Sequence, residues 1–387
     1  MKILLITYNF PPSKAISSKR WHHFYNLFKK DEEMDLHILT ANWEGEKIDD
    51  EKVTYLGRPL KFNPPKSFQQ STFISQLKHP SLFVRSIDIS FFSPWIKDCK
   101  NWIDNNEGNY NLIISSFGPM ASLIIGNYAK KKHKVPLILD LRDLISIQGQ
   151  KLKLPVLHFL DKQIDRYLTQ HVDEFLTVSP LCKQKAEDFY KKKVALIFNG
   201  FPNKSVFNKT NLTLRKKEIN IIYMGTLGIN RNPSKILGIL DEYIQLNPEI
   251  VIKVNFASQD NPFALLSANN NNIFVNWLGY LNQKDLNDEI QKNDVFLLLE
   301  DLTPKGNENL TGKIYEYIQL EKPILASCNP KSNIGYVLKA TNTGSIVSSQ
   351  TEFGQFLNEE RFINALECRK FSRQEQYEKF KRLLKKY

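Results

Sequence analysis

From its first residues this chain alternates short apolar runs of strand length with segments whose apolar residues recur at helical spacing, a pattern that few folds accept. Runs over 3–8, 36–40, 111–115, 135–139, 174–178 and 194–198 predict strands. Between the first two, segment 19–30 sets Trp21, Phe24, Tyr25 and Phe28 at i, i+3, i+4 and i+7, one face of a helix. Segments 119–131, 156–170 and 181–190 read as helices in the same way, whereas 41–110 follows neither period. Strands joined through helices need crossover connections. Such connections make neighbouring strands parallel and put helices on both faces of the sheet.

The alternation stops at 199–214, NGFPNKSVFNKTNLTL, where turn residues dominate. It restarts with strands over 219–224, 251–257, 273–277 and 295–300 and helices over 233–246 and 282–292. Asn232 is expected to cap the helix at 233, with Pro233 in its first position, where the missing N–H costs nothing. Two doubly wound α/β domains are therefore expected, over 1–200 and 217–365, joined by a linker over 201–216. That division also suits 387 residues, more than one core usually organises. A basic amphipathic helix over 371–385 is expected either to pack on a domain or to touch a membrane surface.

Composition narrows the class. Cys99, Cys182, Cys328 and Cys368 are scattered and form no Cys-x-x-Cys pair, so neither a zinc cluster nor a disulfide framework is indicated. The N-terminal MKILLITYNF is too short for a signal peptide, and no run approaches 18 apolar residues; a cytoplasmic protein that spans no membrane is expected. The net charge of +12 is uneven: residues 1–200 hold 29 Lys+Arg against 21 Asp+Glu, residues 201–360 hold 15 against 17, and residues 361–387 hold 9 against 3. Such an excess attracts nucleic acid or an anionic leaflet, or it is a solvated lysine-rich surface.

In open α/β sheets, ligands bind beyond the carboxyl ends of strands, which directs attention to the loop after the strand at 295–300. Residues 306–325 read GNENLTGKIYEYIQLEKPIL. Thr311 can cap a helix starting at Gly312, and Pro323 stops it. A helix start offers free N–H groups and a positive dipole end; Gly312 leaves room for an anion there, and Lys313 adds a full charge. Glu316, one turn on, suits two ribose hydroxyls, because an ionised carboxylate only accepts hydrogen bonds. The competing reading is a surface ion pair between Lys313 and Glu316. The loop Gly225–Thr226–Leu227–Gly228 with Arg231 is a second phosphate-friendly turn before a helix, with Lys235 as a nearby cation. In the first domain the corresponding loop holds Ser13 and Arg20, the latter facing a cleft or solvent. Ser116 and the run Asp140–Leu141–Arg142–Asp143 stand at later strand ends, as an ion-pair network or as groups that orient a substrate.

Over nearly its whole length the sequence resembles glycosyltransferase family 4. The resemblance is carried by TYNFPP, DLRD, FLTVSPLCKQKA, LIFNGF, YMGTLG and ENLTGKIYEYIQLEKPIL. In that family two glutamates separated by seven residues form the donor-site signature, and Glu308 and Glu316 have that spacing. The resemblance implies the GT-B fold, two Rossmann-like domains facing across a cleft, with the last helix (366–387) crossing back to the first domain. It implies retaining transfer of a hexosyl or N-acetylhexosaminyl group from a nucleotide-diphosphate sugar of UDP or GDP type. The acceptor would be a glycan or lipid-linked glycan of a bacterial surface polysaccharide such as lipopolysaccharide, with no metal and no other cofactor. Carried over by position, Glu316 binds the ribose, Glu308 faces the transferred sugar, and Arg231 with Lys235 or Lys313 neutralises the diphosphate. Gly225, Thr226, Leu310, Thr311 and Gly312 complete the donor side; Ser13, Arg20, Ser116 and Asp140 lie on the acceptor side, where Asp143 or Asp140 orients the acceptor. The chain departs from the family in lacking a Gly-Gly turn after its first strand and the Gly-Phe-Gly neighbours of Glu308.

The charge map and the aromatic-rich segment 83–102 suit a peripheral enzyme on the inner leaflet. A nucleotide-sugar epimerase on the same fold stays open. A nucleic-acid-binding protein, suggested by a pI near 9.2, lacks a basic stripe with interleaved stacking aromatics, and a dinucleotide oxidoreductase lacks Gly-x-Gly-x-x-Gly after the first strand.

Overall fold

The computed structural model describes residues 1–60, 81–142, 144, 146, 155–202, 207, 211–212, 214, 216–228, 231–265, 273–304 and 306–387. The chain divides into two units, Met1–Asn199 with Gln376–Tyr387, and Gly200–Glu375.

In the first unit, β1 (Lys2–Thr7), β2 (Asp35–Trp43), β3 (Val53–Leu60), β4 (Leu112–Ser116), β5 (Leu137–Leu141), β6 (Glu174–Thr177) and β7 (Val194–Leu196) form a parallel sheet in the order β3-β2-β1-β4-β5-β6-β7. β1 is central, with Ile3 opposite Leu36 on one side and Leu112 on the other. Alternation along it splits the core in two: Leu4 and Ile6 pack on one face with Leu39, Ile113 and Leu139, while Ile3 and Leu5 pack on the other with Ile38, Ile114 and Ile138. Both faces are covered, which is why these strands read as unbroken apolar runs.

The first helix, Ile16–Phe28, buries Trp21, Phe24, Tyr25 and Phe28, the face read from its spacing. The tail helix Arg373–Leu384 joins them through Tyr377, Phe380, Leu383 and Leu384, and Phe24 stacks on Phe380 at 5.7 Å between ring centroids. At roughly 1.5–3 kcal/mol for each large apolar side chain buried, this face is a substantial part of the unit's core. Its apolar residues are therefore spent on packing and not on a membrane. Lys381 reaches Asp31 at 2.7 Å and Glu33 at 2.9 Å along the edge. The helix starts two residues later than expected, since Phe371 ends the preceding helix Ala365–Lys370.

Two elements fall where no period was read. β3 carries Gly57 and Pro59, which interrupt its alternation, and helix Ser81–Asn105 contains Pro94. Within that helix Trp95 is buried and Trp102 half-buried against the core, so this part of the aromatic-rich segment faces inward; the side chains of 83–91 lie outside the described residues.

The second unit repeats the strand order. β9 (Glu218–Met224), β10 (Val251–Ala257), β11 (Phe274–Trp277), β12 (Val295–Leu299), β13 (Ile324–Ser327) and β14 (Gly344–Ile346) run parallel in the order β11-β10-β9-β12-β13-β14. Part of the expected linker belongs to this unit: β8 (Asn211–Leu212) pairs antiparallel with β15 (Arg361–Phe362), and Phe201 bridges to Ser372. Pro233 is the cap of helix Ser234–Leu246 rather than its first residue, with Asn232 Oδ1 accepting from the Ser234 amide at 2.8 Å. In each sheet the order reverses beside the first strand, at β1/β4 and at β9/β12. The carboxyl ends flanking such a reversal form the crevice in which open α/β sheets bind ligands.

Candidate functional site

At the β9/β12 reversal the short helix Gly312–Leu320 begins. Thr311 caps it, its hydroxyl accepting from the Lys313 amide at 3.5 Å, and Glu321 in the left-handed region (φ 53°) ends it. Ile314, Tyr315, Tyr317 and Ile318 are buried, which turns Glu316 outward; it is exposed and pairs with no described residue. A Cβ on Gly312 would meet nothing within 4 Å, so the helix start is open.

Lys313 does not form the surface ion pair with Glu316. Its ammonium folds inward, 4.3 Å above the Tyr223 ring centroid, and donates to the Tyr223 hydroxyl at 3.0 Å. That hydroxyl in turn donates to the Thr226 carbonyl at 2.6 Å. Gly225 makes the arrangement possible: its φ is +113°, and a Cβ there would stand 2.5 Å from Lys313 Cε. Burial brings the Lys313 pKa down to about 8, the Arg231 charge acting the same way and Glu300 and Glu316 opposing it.

Arg231 enters the cluster through Glu300, with Nη2 3.2 Å from Oε2. Glu300 is buried, and its other oxygen accepts from the Asp301 amide at 3.1 Å and from Asn309 Nδ2 at 3.2 Å. Lys235, the alternative cation, is exposed and forms no ion pair with a described residue. Glu308 is buried at the end of the 3-10 turn Gly306–Glu308, and its carbonyl accepts from Asn333 Nδ2 at 2.7 Å; Leu310 and Thr311 are half-buried beside it. Glu300 and Tyr223 were not singled out from the sequence; a carboxylate at the last position of a strand beside a phosphate-friendly loop was the available signal.

Next to Gly225 and Thr226 lies a cleft of about 260 Å³ among the loops after β9, β10 and β11, lined also by Ser258, Gln259, Tyr280 and Leu286. Asp260 steadies the first of these loops by accepting from the Leu227 amide at 3.0 Å. Tyr280 presents most of its ring to solvent over the cleft.

The first-unit candidates come together differently from expectation. Arg20 is buried and does not face solvent: Nη1 donates to the carbonyls of Ile197 and Phe198 at 3.0 Å each, and Nη2 lies 3.5 Å from Asp140. Ser116 donates to the other Asp140 oxygen at 3.3 Å. Arg142 points elsewhere, to the Phe117 carbonyl at 3.1 Å, and Ser13 donates to Asn9 Oδ1 at 3.1 Å. Asp143 lies outside the described residues. A larger groove of about 870 Å³ lies at the amino ends of β5 and β6, away from the strands' carboxyl ends, and is rimmed by Lys100, Lys130, Lys131 and Lys134. Among the described residues no helix is long and apolar enough to cross a membrane, and no group of three His, Cys, Asp or Glu side chains could hold a metal ion.

No family model and no curated protein matches the chain in sequence. Solved structures do match in shape over its whole length. A lipopolysaccharide outer core galactosyltransferase, WaaB, in its apo form has a TM-score of 0.60 at 14% identity, covering 100% of both chains. Sucrose-phosphate synthase from Thermosynechococcus elongatus has a TM-score of 0.60 at 11% identity, covering 100% of this chain and 98% of that one. Anabaena HepE in complex with UDP has a TM-score of 0.53 at 12% identity, covering 100% of both. At such identities the likeness shows the fold, and that fold is GT-B, built from two Rossmann-like α/β units.

Proposed function

We propose that the chain is a retaining glycosyltransferase that moves a hexosyl or N-acetylhexosaminyl group from a nucleotide-diphosphate sugar, of UDP or GDP type, to a glycan or lipid-linked glycan acceptor. The observation that carries this reading is the pair of cations Arg231 and Lys313 at the switch point of the second unit, beside two glutamates separated by seven residues. Two cations at a helix start suit a diphosphate. The exposed Glu316, which pairs with no described residue, suits ribose hydroxyls, and the transferred sugar is assigned to Glu308 in the preceding turn. The cleft under Tyr280 has room for the base.

In the chemical step the bond between the anomeric carbon and the diphosphate oxygen breaks. Negative charge grows on that oxygen, where Arg231 and Lys313 stabilise it without needing to reorganise. On the same-face route the leaving oxygen takes the acceptor's proton, so no side-chain base is needed; Asp143 is then left to orient the acceptor, since Asp140 is occupied by Arg20 and Ser116. UDP in one structural neighbour and lipopolysaccharide in the name of another favour a UDP-sugar and a cell-surface polysaccharide. Peripheral contact of the first unit with an anionic membrane is part of the proposal, supported by the lysine-rimmed groove, and binding to anionic liposomes at low salt tests it.

The deciding experiment is a thermal-shift panel of UDP-, GDP-, ADP- and CMP-sugars on wild type and Glu316→Ala. One diphosphate series is expected to stabilise the wild type by roughly 5–10 °C at a hundred times its Kd, with no shift in the variant and none from the single-phosphate CMP-sugars. Absence of a shift from every nucleotide sugar would overturn the reading. Release of free nucleotide without a glycosylated product would turn it toward an epimerase.

A further inference from the structure

Glu300 stands outside the two-glutamate pattern, and both of its oxygens are occupied by protein groups: Oε2 by Arg231, Oε1 by the Asp301 amide and Asn309. Buried, and already engaged at both oxygens, it acts through its neighbours. Resting on the donor-site reading above, we infer that Glu300 is a positioning residue that anchors Arg231 and sets the proton occupancy of Lys313, so that a diphosphate entering the site completes its second cation by proton uptake.

The anchoring half follows from geometry. Arg231 has five N–H donors, and Glu300 engages only its Nη2, which leaves most of the fork for phosphate oxygens. Because Glu300 is nine-tenths or more buried, its grip on the partly exposed Arg231 is screened less by water than a surface pair would be. Through Asn309 the same carboxylate ties down the residue that follows Glu308, so one buried group organises both sides of the site.

The second half follows from what surrounds the lysine. Four groups act on its ammonium: Arg231 from the loop before helix Ser234–Leu246, Glu300 just after β12, Glu316 on its own helix, and the Tyr223 hydroxyl from β9. Among the described residues no carboxylate is in contact with it, and the buried Glu300 is paired with Arg231. Burial and the guanidinium outweigh the two glutamates, and near pH 8 about half the molecules carry a neutral amine. A diphosphate restores the attraction the site lacks. Binding raises the lysine's proton affinity, so it is strongest below pH 8 and weakens as pH rises above it.

The test uses the full chain and calorimetric titration with UDP-glucose and GDP-mannose, whose diphosphates have no group titrating near pH 8. Titrations in two buffers of different ionisation enthalpy give the protons taken up. Uptake of about 0.5 proton at pH 8 and near zero at pH 6.5 is expected for the ligand that binds. Lys313→Arg, a permanent cation, should abolish the uptake. Glu300→Gln is expected to weaken binding about tenfold at pH 7 and to move the alkaline limb of affinity toward acid, because it removes a charge that favours protonated Lys313. Glu300→Asp keeps the charge but shortens the reach to Arg231, so the limb returns toward that of wild type while affinity stays low. Binding without uptake at pH 8, or a Glu300→Gln limb identical to that of wild type, overturns the inference and leaves the donor-site reading standing. Failure of both nucleotide sugars to bind overturns both. Absence of uptake in the wild type overturns the inference even if the Glu300 variants do not fold.

Discussion

Lys313→Met is expected to make the protein more stable while emptying it of function. The side chains are close in length and volume, so the change removes a buried charge with little repacking. Lys313 has a pKa of about 8 in the folded chain against 10.5 for an unperturbed lysine, a difference worth roughly 3 kcal/mol against keeping it charged at pH 7. Methionine forfeits the hydrogen bond to Tyr223 and the contact with its ring, together about 1–2 kcal/mol. The net expectation is a gain of about 1–2 kcal/mol, or roughly 2–8 °C in the unfolding of the second unit. The sign with pH is fixed. Between about pH 8 and 10.5 the unfolded chain holds a proton that the folded chain has released, so wild-type stability rises across that window and the variant's advantage shrinks. Thermal unfolding at pH 7 and pH 10 measures both points. A variant less stable than wild type at pH 7, or an advantage unchanged at pH 10, would refute the reasoning.

Three further outcomes follow from the packing. Gly225→Ala brings a Cβ to 2.5 Å from Lys313 Cε at a positive φ; it should cost about 1–3 kcal/mol in denaturant unfolding and remove the nucleotide-dependent thermal shift. Asp140→Ala leaves the buried Arg20 guanidinium without its carboxylate and should cost about 3–5 kcal/mol in the first unit, measured by denaturant unfolding. Phe380→Ala opens a cavity among Trp21, Phe24 and Phe28 and should cost about 3–5 kcal/mol in the same unit, leaving nucleotide binding in the second unit intact by calorimetry.

Much of the fold was legible because burial on one or two faces writes a period into the sequence. Trp21, Phe24, Tyr25 and Phe28 announced their helix, and the buried runs of β1 and β12 announced their strands. Where backbone breakers interrupt the period the signal failed, at Gly57 and Pro59 in β3 and at Pro94 in helix Ser81–Asn105. The site was legible in its residue types but not in its pairings. The sequence left Lys235, four positions from Arg231, and Lys313 as equal companions for it; Lys313, far along the chain, lies close enough for its proton affinity to respond to that guanidinium, because β9 and β12 are neighbours in the sheet. Tyr223 and Glu300 read as the ends of core strands, and their importance rests on contacts 90 and 69 residues distant. Arg20 was expected to face a cleft or solvent because it follows a polar loop, yet the fold turns it onto the carbonyls that follow β7.

The helix Arg373–Leu384 gives the chain an order of completion. Trp21, Phe24 and Phe28 are made well before Tyr377, Phe380 and Leu384, which cover them and come after the whole of Gly200–Glu375 has been translated. At ordinary translation speeds that interval is on the order of ten seconds or more. Throughout it the first unit carries an open aromatic face, so the nascent chain is a natural client for chaperones until the helix Arg373–Leu384 emerges.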